Sequence, residues 1–152
     1  MFLNNSTHTV DKNGRTFLPK RFQKRIPRDD QGGQSVVLTP GFDGCLFIFT
    51  MEQYAKEVED QHKSVFADPG VRSRQRKFFG MAHEAPLDSS GRIMIPEKFR
   101  KGANITKEVT VVGAGTRIEL WNPELWAKIE AEAELDDDGL GFDLCFGIDR
   151  LL

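Results

Sequence analysis

Apolar and polar residues along this chain alternate in short runs, and the runs come in the same order twice. Thr7–Val10 and Arg15–Leu18 are β-favouring stretches on either side of Asp11, Lys12, Asn13 and Gly14. An Asn-Gly pair tolerates positive φ at both central positions, so a tight hairpin turn is predicted there. Leu87 and Arg92–Ile95 flank Ser90 and Gly91 in the same way. After each turn comes a proline at a helix-opening position, Pro19 or Pro96, followed by Phe22 and Ile26 four apart, or by Phe99 and Gly102. Val36–Thr39 and Val109–Val112 then read as strands, each leading through a glycine turn into a second strand, Cys45–Phe49 or Arg117–Trp121. Thr50 to Gln53 has the spacing of a capping box, and Asn122 places a cap before the first-turn Pro123, so each copy is predicted to end in a helix. The first of these runs through Tyr54 and Val58 towards Val65 until Asp68, Pro69 and Gly70 stop it; the last uses Trp126, Ile129 and Ala133. Between the copies, Val71–Met81 carries Arg72, Arg74, Arg76 and Lys77 and predicts a basic connecting helix. The predicted order is ββαββα, twice.

The duplication is visible residue by residue. Val10–Phe22 returns 77 positions later as Leu87–Phe99, with Asp, Gly, Arg, Pro and Phe in the same places. Five identities in these thirteen aligned positions exceed the roughly one expected from ordinary residue usage. Phe49–Tyr54 resembles Trp121–Trp126 at an offset of 72, so the first copy has the longer middle. Each copy covers about half of the chain and is too short to bury a large core alone, so the two are expected to fold together around a pseudo-twofold.

Composition changes this picture mainly through charge. The 152 residues are 39% apolar and 29% charged, an ordinary soluble balance. The formal charge of −2 hides an asymmetry: residues 130–152 hold eight acids and one base, whereas residues 1–129 hold 20 bases against 15 acids. From Lys12 to Arg28 there are seven bases, Lys12, Arg15, Lys20, Arg21, Lys24, Arg25 and Arg28, and no acid. That cluster is a candidate phosphate footprint, or a solvated helix face beside a turn. The start of the chain has no basic, apolar signal pattern and no apolar run reaches the roughly 20 residues of a membrane span, which predicts a cytosolic protein. Cys45 and Cys145 lack metal or redox spacing and read as packing residues. His8, His62 and His83 have no metal spacing, and Gly113-Ala114-Gly115 lacks the third glycine of a dinucleotide loop, so neither an enzyme nor a metal or cofactor site is expected. In the acidic tail Leu140, Phe142, Leu144, Phe146 and Ile148 alternate with the period of a strand. An edge strand, a contact with a neighbouring subunit and a partly disordered end are equally open there.

The repeated motif has a structural half and a chemical half. Its glycine lets the chain reverse, and its Asp carboxylate can accept backbone N–H bonds within the turn. The arginine that follows, Arg15 or Arg92, stands on the rim, where its donors can reach a phosphate or pair with guanine O6 and N7. The plain alternative is an Asp11–Arg15 and Asp88–Arg92 ion pair that braces each turn. Duplication favours the first reading, because a pseudo-twofold presents two arginines together.

These two Asp-x-x-x-Arg motifs, each leading through an apolar strand into Pro and a short helix, stand with Asp43–Phe47 between them and Gly113–Trp121 after the second. In this they resemble the MraZ family over roughly residues 1–130. The resemblance implies an α+β, mostly β fold: tandem AbrB-like swapped-hairpin repeats forming a double-split β pseudobarrel capped by helices. It places SpoVT-AbrB-type domains at residues 5–55 and 81–128, a helical linker at 56–80 and an acidic tail at 129–152. It also implies a bacterial DNA-binding transcriptional regulator that binds short direct repeats upstream of its own gene, at the head of a division and cell wall cluster. Such a protein represses that operon, associates with the nucleoid and assembles into rings. By position, Arg15 and Arg92 fall on DNA-contacting arginines, with Lys12, Gly14, Lys20, Arg21 and Lys98 beside them and Asp11, Asp88 and Gly91 as turn residues. No cofactor or small-molecule substrate is implied. The chain departs from the pattern at Asn4, Asn5 and Asn13, at Gln23 where copy two has Arg100, and at Ser89 and Ser90, so the copies are expected to contribute unequally. An AbrB-type antitoxin and a ring-forming structural protein without sequence-specific DNA binding are the rival readings.

Overall fold

The computed structural model describes residues 1–59, 66 and 68–134. In chain order, β1 (Asn5–Thr9), β2 (Arg15–Phe17), α1 (Lys20–Gln23), β3 (Ser35–Pro40), β4 (Leu46–Phe49) and α2 (Met51–Glu57) form the first copy. A linker of α3 (Pro69–Gln75) and a π-helical turn (Arg76–Gly80) follows. The second copy repeats the set as β5 (His83–Pro86), β6 (Arg92–Met94), α4 (Glu97–Gly102), β7 (Glu108–Gly113), β8 (Ile118–Trp121) and α5 (Pro123–Glu134). The class is mixed α+β, and the eight strands lie in two antiparallel sheets: six in the order β1-β7-β8-β4-β3-β5, and a separate ribbon of β2 with β6. Residues Met1–Asn122, which hold every one of these strands, form one compact unit, and α5 belongs to a second, Pro123–Leu152.

The local hairpin expected between β1 and β2 is corrected. The tight turn exists, but β1 pairs with β7, β2 pairs with β6, and β5 pairs with β3. Each copy thus lays its first strand on the third strand of the other. The physical reason is the turn itself: Asp11 N–H bonds the Arg15 carbonyl and Gly14 N–H bonds the Asp11 carbonyl, which closes the loop without extending a ladder. The hairpins β3–β4 and β7–β8 form as the sequence predicts.

The registers obey the repeat. His8 opposite Val109 is matched by Ala85 opposite Val36, and Arg15 opposite Met94 by Arg92 opposite Phe17. Two pairs map onto themselves, Thr16 with Ile93 and Phe47 with Glu119, so the pseudo-twofold runs through them. Leu18, Phe22, Ile26, Val36, Leu38, Leu46 and Ile48 of copy one join Ile93, Ile95, Phe99, Ile105, Val109, Val111, Ile118 and Leu120 of copy two in one buried cluster. Neither half encloses a core by itself, because each supplies about half of the same one.

At the linker, Asp68 is a helix start and not a stop. Its carboxylate accepts the Val71 N–H at 3.0 Å and caps α3, with Pro69 in the first turn. Thr50 caps α2 through the Gln53 N–H, and the Tyr54 hydroxyl donates to the Phe78 carbonyl, tying α2 to the linker. Val65, His62 and the apolar alternation after Leu140 lie outside the described residues. In α5, Leu125, Trp126 and Ile129 are half-buried, whereas Ala133, expected on the same face, is exposed.

Candidate nucleic-acid interface

The ribbon is three residues long on each strand, and its side chains alternate. Thr16 and Ile93, each 1% exposed, point into the core. Arg15, Phe17, Arg92 and Met94 therefore share the outer face, with Phe17 48% and Met94 44% exposed. The Arg15 and Arg92 side chains are 39% and 28% exposed. The pseudo-twofold thus presents the two arginines diagonally across one narrow, accessible surface.

Each arginine is held by its own turn. The Asp11 carboxylate accepts the backbone N–H groups of Asn13 and Arg15, each at 2.9 Å, and the Arg15 Nε at 2.9 Å. Asp88 repeats this with the N–H groups of Ser90 and Arg92 and with Arg92 Nε at 2.8 Å. The bracing ion pair is real, but its hydrogen bond comes from Nε, and neither guanidinium makes a hydrogen bond through Nη among the described residues. Those Nη groups are the fork that carboxylates, phosphates or guanine would engage. Bracing and binding are consequently compatible: the acid orients the arginine, and its outer edge stays available.

The backbone N–H bond at residue 15, then the Arg15 side chain, hold the Asp11 carboxyl below the usual aspartate range, and Arg92 does the same for Asp88. Because both acids are depressed in the fold, the stability they contribute is full above the ordinary value of 3.8 and is lost as pH falls through the lower folded values. Paired Asp11→Asn and Asp88→Asn substitutions should therefore weaken the fold at neutral pH. In urea unfolding followed from pH 7 downwards, the gap to the native chain should close in acid; a gap independent of pH would contradict the assignment.

Each turn is also tied to the opposite copy, the Ile95 N–H donating to the Gly14 carbonyl at 2.8 Å and the Leu18 N–H to the Gly91 carbonyl at 3.2 Å, and the segment that reaches across is held within its own copy. Gln23 on α1 donates from Nε2 to the Leu18 carbonyl at 2.7 Å, and Arg100 on α4 donates from Nε to the Ile95 carbonyl at 2.8 Å. Gln23 in copy one and Arg100 in copy two thus make the equivalent structural bond. Gly14 and Gly91 are buried, with φ near +81° and +85°. Gly14 lies against Arg100 and Gly91 against Gln23. Gly14 shapes the loop from within, while Lys12 beside it is exposed.

The flanks differ in charge. Lys20, Arg21, Lys24, Arg25 and Arg28 are all exposed on and after α1, with Arg28 bonding the Gly32 carbonyl. Around α4, Lys98 is exposed, Lys101 pairs with Glu97 at 3.1 Å, and Arg100 is spent on Ile95. Copy one therefore carries most of the accessible positive charge. The sequence does not single out Phe17 and Met94, which share the arginines' face; the signal for that placement is their strict alternation with the buried Thr16 and Ile93. His8, half-buried, bonds Ser6 at 2.8 Å, and Cys45 is buried, its thiol pushed up to about 12 by desolvation. No set of three or more His, Cys, Asp or Glu side chains converges as for a metal ion among the described residues. No described helix is long and apolar enough to cross a membrane.

The chain has relatives among known proteins. The chain is 35% identical over 150 residues to a transcriptional regulator MraZ from Heliobacterium modesticaldum, covering 95% of this chain and 100% of that protein. It is 38% identical over 127 residues to the protein of the same name from Carboxydothermus hydrogenoformans, covering 83% and 84% respectively. The counterpart from Desulforamulus reducens is 37% identical over 135 residues, covering 88% and 90%. The family described as "MraZ protein, putative antitoxin-like" matches twice, over residues 1–77 and 78–139, which is the same duplication that the strand registers display. Repeated turn, exchanged strands and sustained identity agree, and the chain belongs to the MraZ family.

Proposed function

We propose that this chain is a DNA-binding transcriptional regulator whose β2–β6 ribbon enters the major groove. One observation carries the reading: Arg15 and Arg92 stand together on the outer face of a pseudo-twofold ribbon, partly exposed and each braced through Nε by its turn aspartate. A two-stranded ribbon fits the major groove, and a guanidinium fork matches guanine O6 and N7. Lys12, Lys20, Arg21 and Lys98 take phosphates, mostly on the copy-one side. Relatives named transcriptional regulators support the same role.

The finer proposal is that the target is a set of direct repeats upstream of the protein's own gene, in a division and cell wall cluster that it represses. Few base contacts per subunit make single-site binding modest, so several subunits, assembled as a ring, would engage successive repeats. The expected setting is the cytoplasm, on the nucleoid. The exchanged strands fit two AbrB-like domains, at 5–55 and 81–128, forming a double-split pseudobarrel. Anisotropy titrations with the DNA upstream of the gene and with a scrambled duplex, across a salt series, test the reading. Tight binding to the first alone is expected. About four phosphate contacts per subunit would give a log–log salt slope of roughly −3.6. Equal, weak binding to both would return the balance to a scaffold, or to the antitoxin that the family description suggests; a toxin co-purifying in stoichiometric amount would favour the latter.

A further inference from the structure

The outer face of the ribbon carries two apolar side chains that phosphate binding does not need. Phe17 and Met94 are about half exposed. Each has an arginine two residues away on its own strand and the other arginine directly opposite, Arg92 across from Phe17 and Arg15 across from Met94. The four form a checkerboard of alternating cation and apolar group around the pseudo-twofold. We propose that Phe17 and Met94 read the 5-methyl groups of thymine in the major groove, giving this chain sequence preference beside the bases that its arginines contact. The inference rests on the DNA-binding reading above and deepens it.

The chemistry of the groove supports the assignment. The thymine methyl is the apolar feature of the major-groove edge, whereas guanine offers acceptors to a guanidinium. Residues two apart on a strand are about 6.8 Å apart, close to twice the ~3.4 Å base step, and directly opposed side chains lie about 5 Å apart. Each apolar group therefore falls within about two base steps of an arginine contact. The Arg92 guanidinium lies 5.6 Å from the centre of the Phe17 ring, which positions the ring before DNA arrives. Met94, unbranched and polarisable, adapts to the second methyl. A second copy of this chain stacked on the same face would bring four guanidinium groups together, which argues against self-association through it.

The full chain and the duplex upstream of its gene provide the test, with the duplex prepared once with thymine and once with uracil throughout. Uracil removes the methyls and keeps the pairing edges and the phosphate charge. The native protein should bind the uracil duplex about fourfold less tightly per methyl contact, roughly fifteenfold for two. The Phe17→Ala/Met94→Ala double variant should bind the thymine duplex about as weakly as the native protein binds the uracil one, and lose nothing more on uracil. Equal native affinity for both duplexes, or an equal loss in native and variant proteins, overturns the inference while leaving the DNA-binding reading intact. A native protein that binds the thymine duplex no better than a scrambled one overturns both.

Discussion

Arg15→Ala and Arg92→Ala should each lower affinity for the DNA upstream of the gene by roughly 5- to 150-fold, the effect of losing one good bidentate base contact. Folding should survive. In each variant the residue keeps its backbone N–H, so the Asp11 and Asp88 carboxylates retain both backbone bonds and lose only the side-chain partner. Exposed ion pairs of that kind contribute about 0–1 kcal/mol. Arg15→Lys and Arg92→Lys separate charge from geometry, because lysine restores a cation without the two-donor fork or the Nε tether. They should regain binding to a scrambled duplex and fail to regain preference for the promoter. Anisotropy on the two duplexes, with melting curves as the folding control, decides the matter. Unchanged promoter affinity in both alanine variants would remove the arginines from the interface.

How much of this was legible beforehand depends on the range of the interaction. The turn, its helix-opening proline and the β3–β4 and β7–β8 hairpins are specified by neighbours in sequence, and Asp11–Arg15 could be read directly from spacing. The partner of β1 could not, because β1 and β7 are about a hundred residues apart and nothing in Asn5–Thr9 distinguishes pairing with β2 from pairing with β7. The duplication carried that information only indirectly: once the turn fails to extend a ladder, a symmetric exchange satisfies the strand edges of both copies at once. Asp68 was ambiguous for a local reason. Asp-Pro-Gly ends one element and caps the next with equal ease, and only the Val71 N–H bond distinguishes them. The sequence did not mark Phe17 and Met94 as outward-facing, because β propensity and burial coincide in most strands, whereas a two-stranded ribbon packed on one side must leave every second residue outside.

Gly14→Ala should destabilise the fold by about 2–4 kcal/mol and Gly91→Ala by roughly 1–2 kcal/mol. The shared part is conformational, since both glycines have φ above +80°, where a Cβ costs about 1 kcal/mol or more. The difference comes from what the new methyl meets. On Gly14 it would stand 2.8 Å from Arg100 Nε and 2.8 Å from the Ile95 carbonyl oxygen. That oxygen is backbone, and the Ile95 N–H donates to the Gly14 carbonyl at 2.8 Å, so relief of the clash must part the loop from the end of β6. On Gly91 the methyl meets the Gln23 amide, which can swing aside at the expense of its bonds to the Leu18 and Gly91 carbonyls. Symmetry of sequence thus conceals an asymmetry of stability, set by the same Gln23 and Arg100 difference that the repeat comparison exposed. Urea unfolding of the two variants measures it directly. Because the arginines project from these turns, Gly14→Ala should also weaken promoter binding through the misplaced Arg15 and not through any contact of its own, so Gly14→Asn, which tolerates positive φ better but is no smaller, should recover only the conformational part. Equal stability losses for Gly14→Ala and Gly91→Ala would show that the Ile95 carbonyl yields more easily than the pairing of β2 with β6 implies.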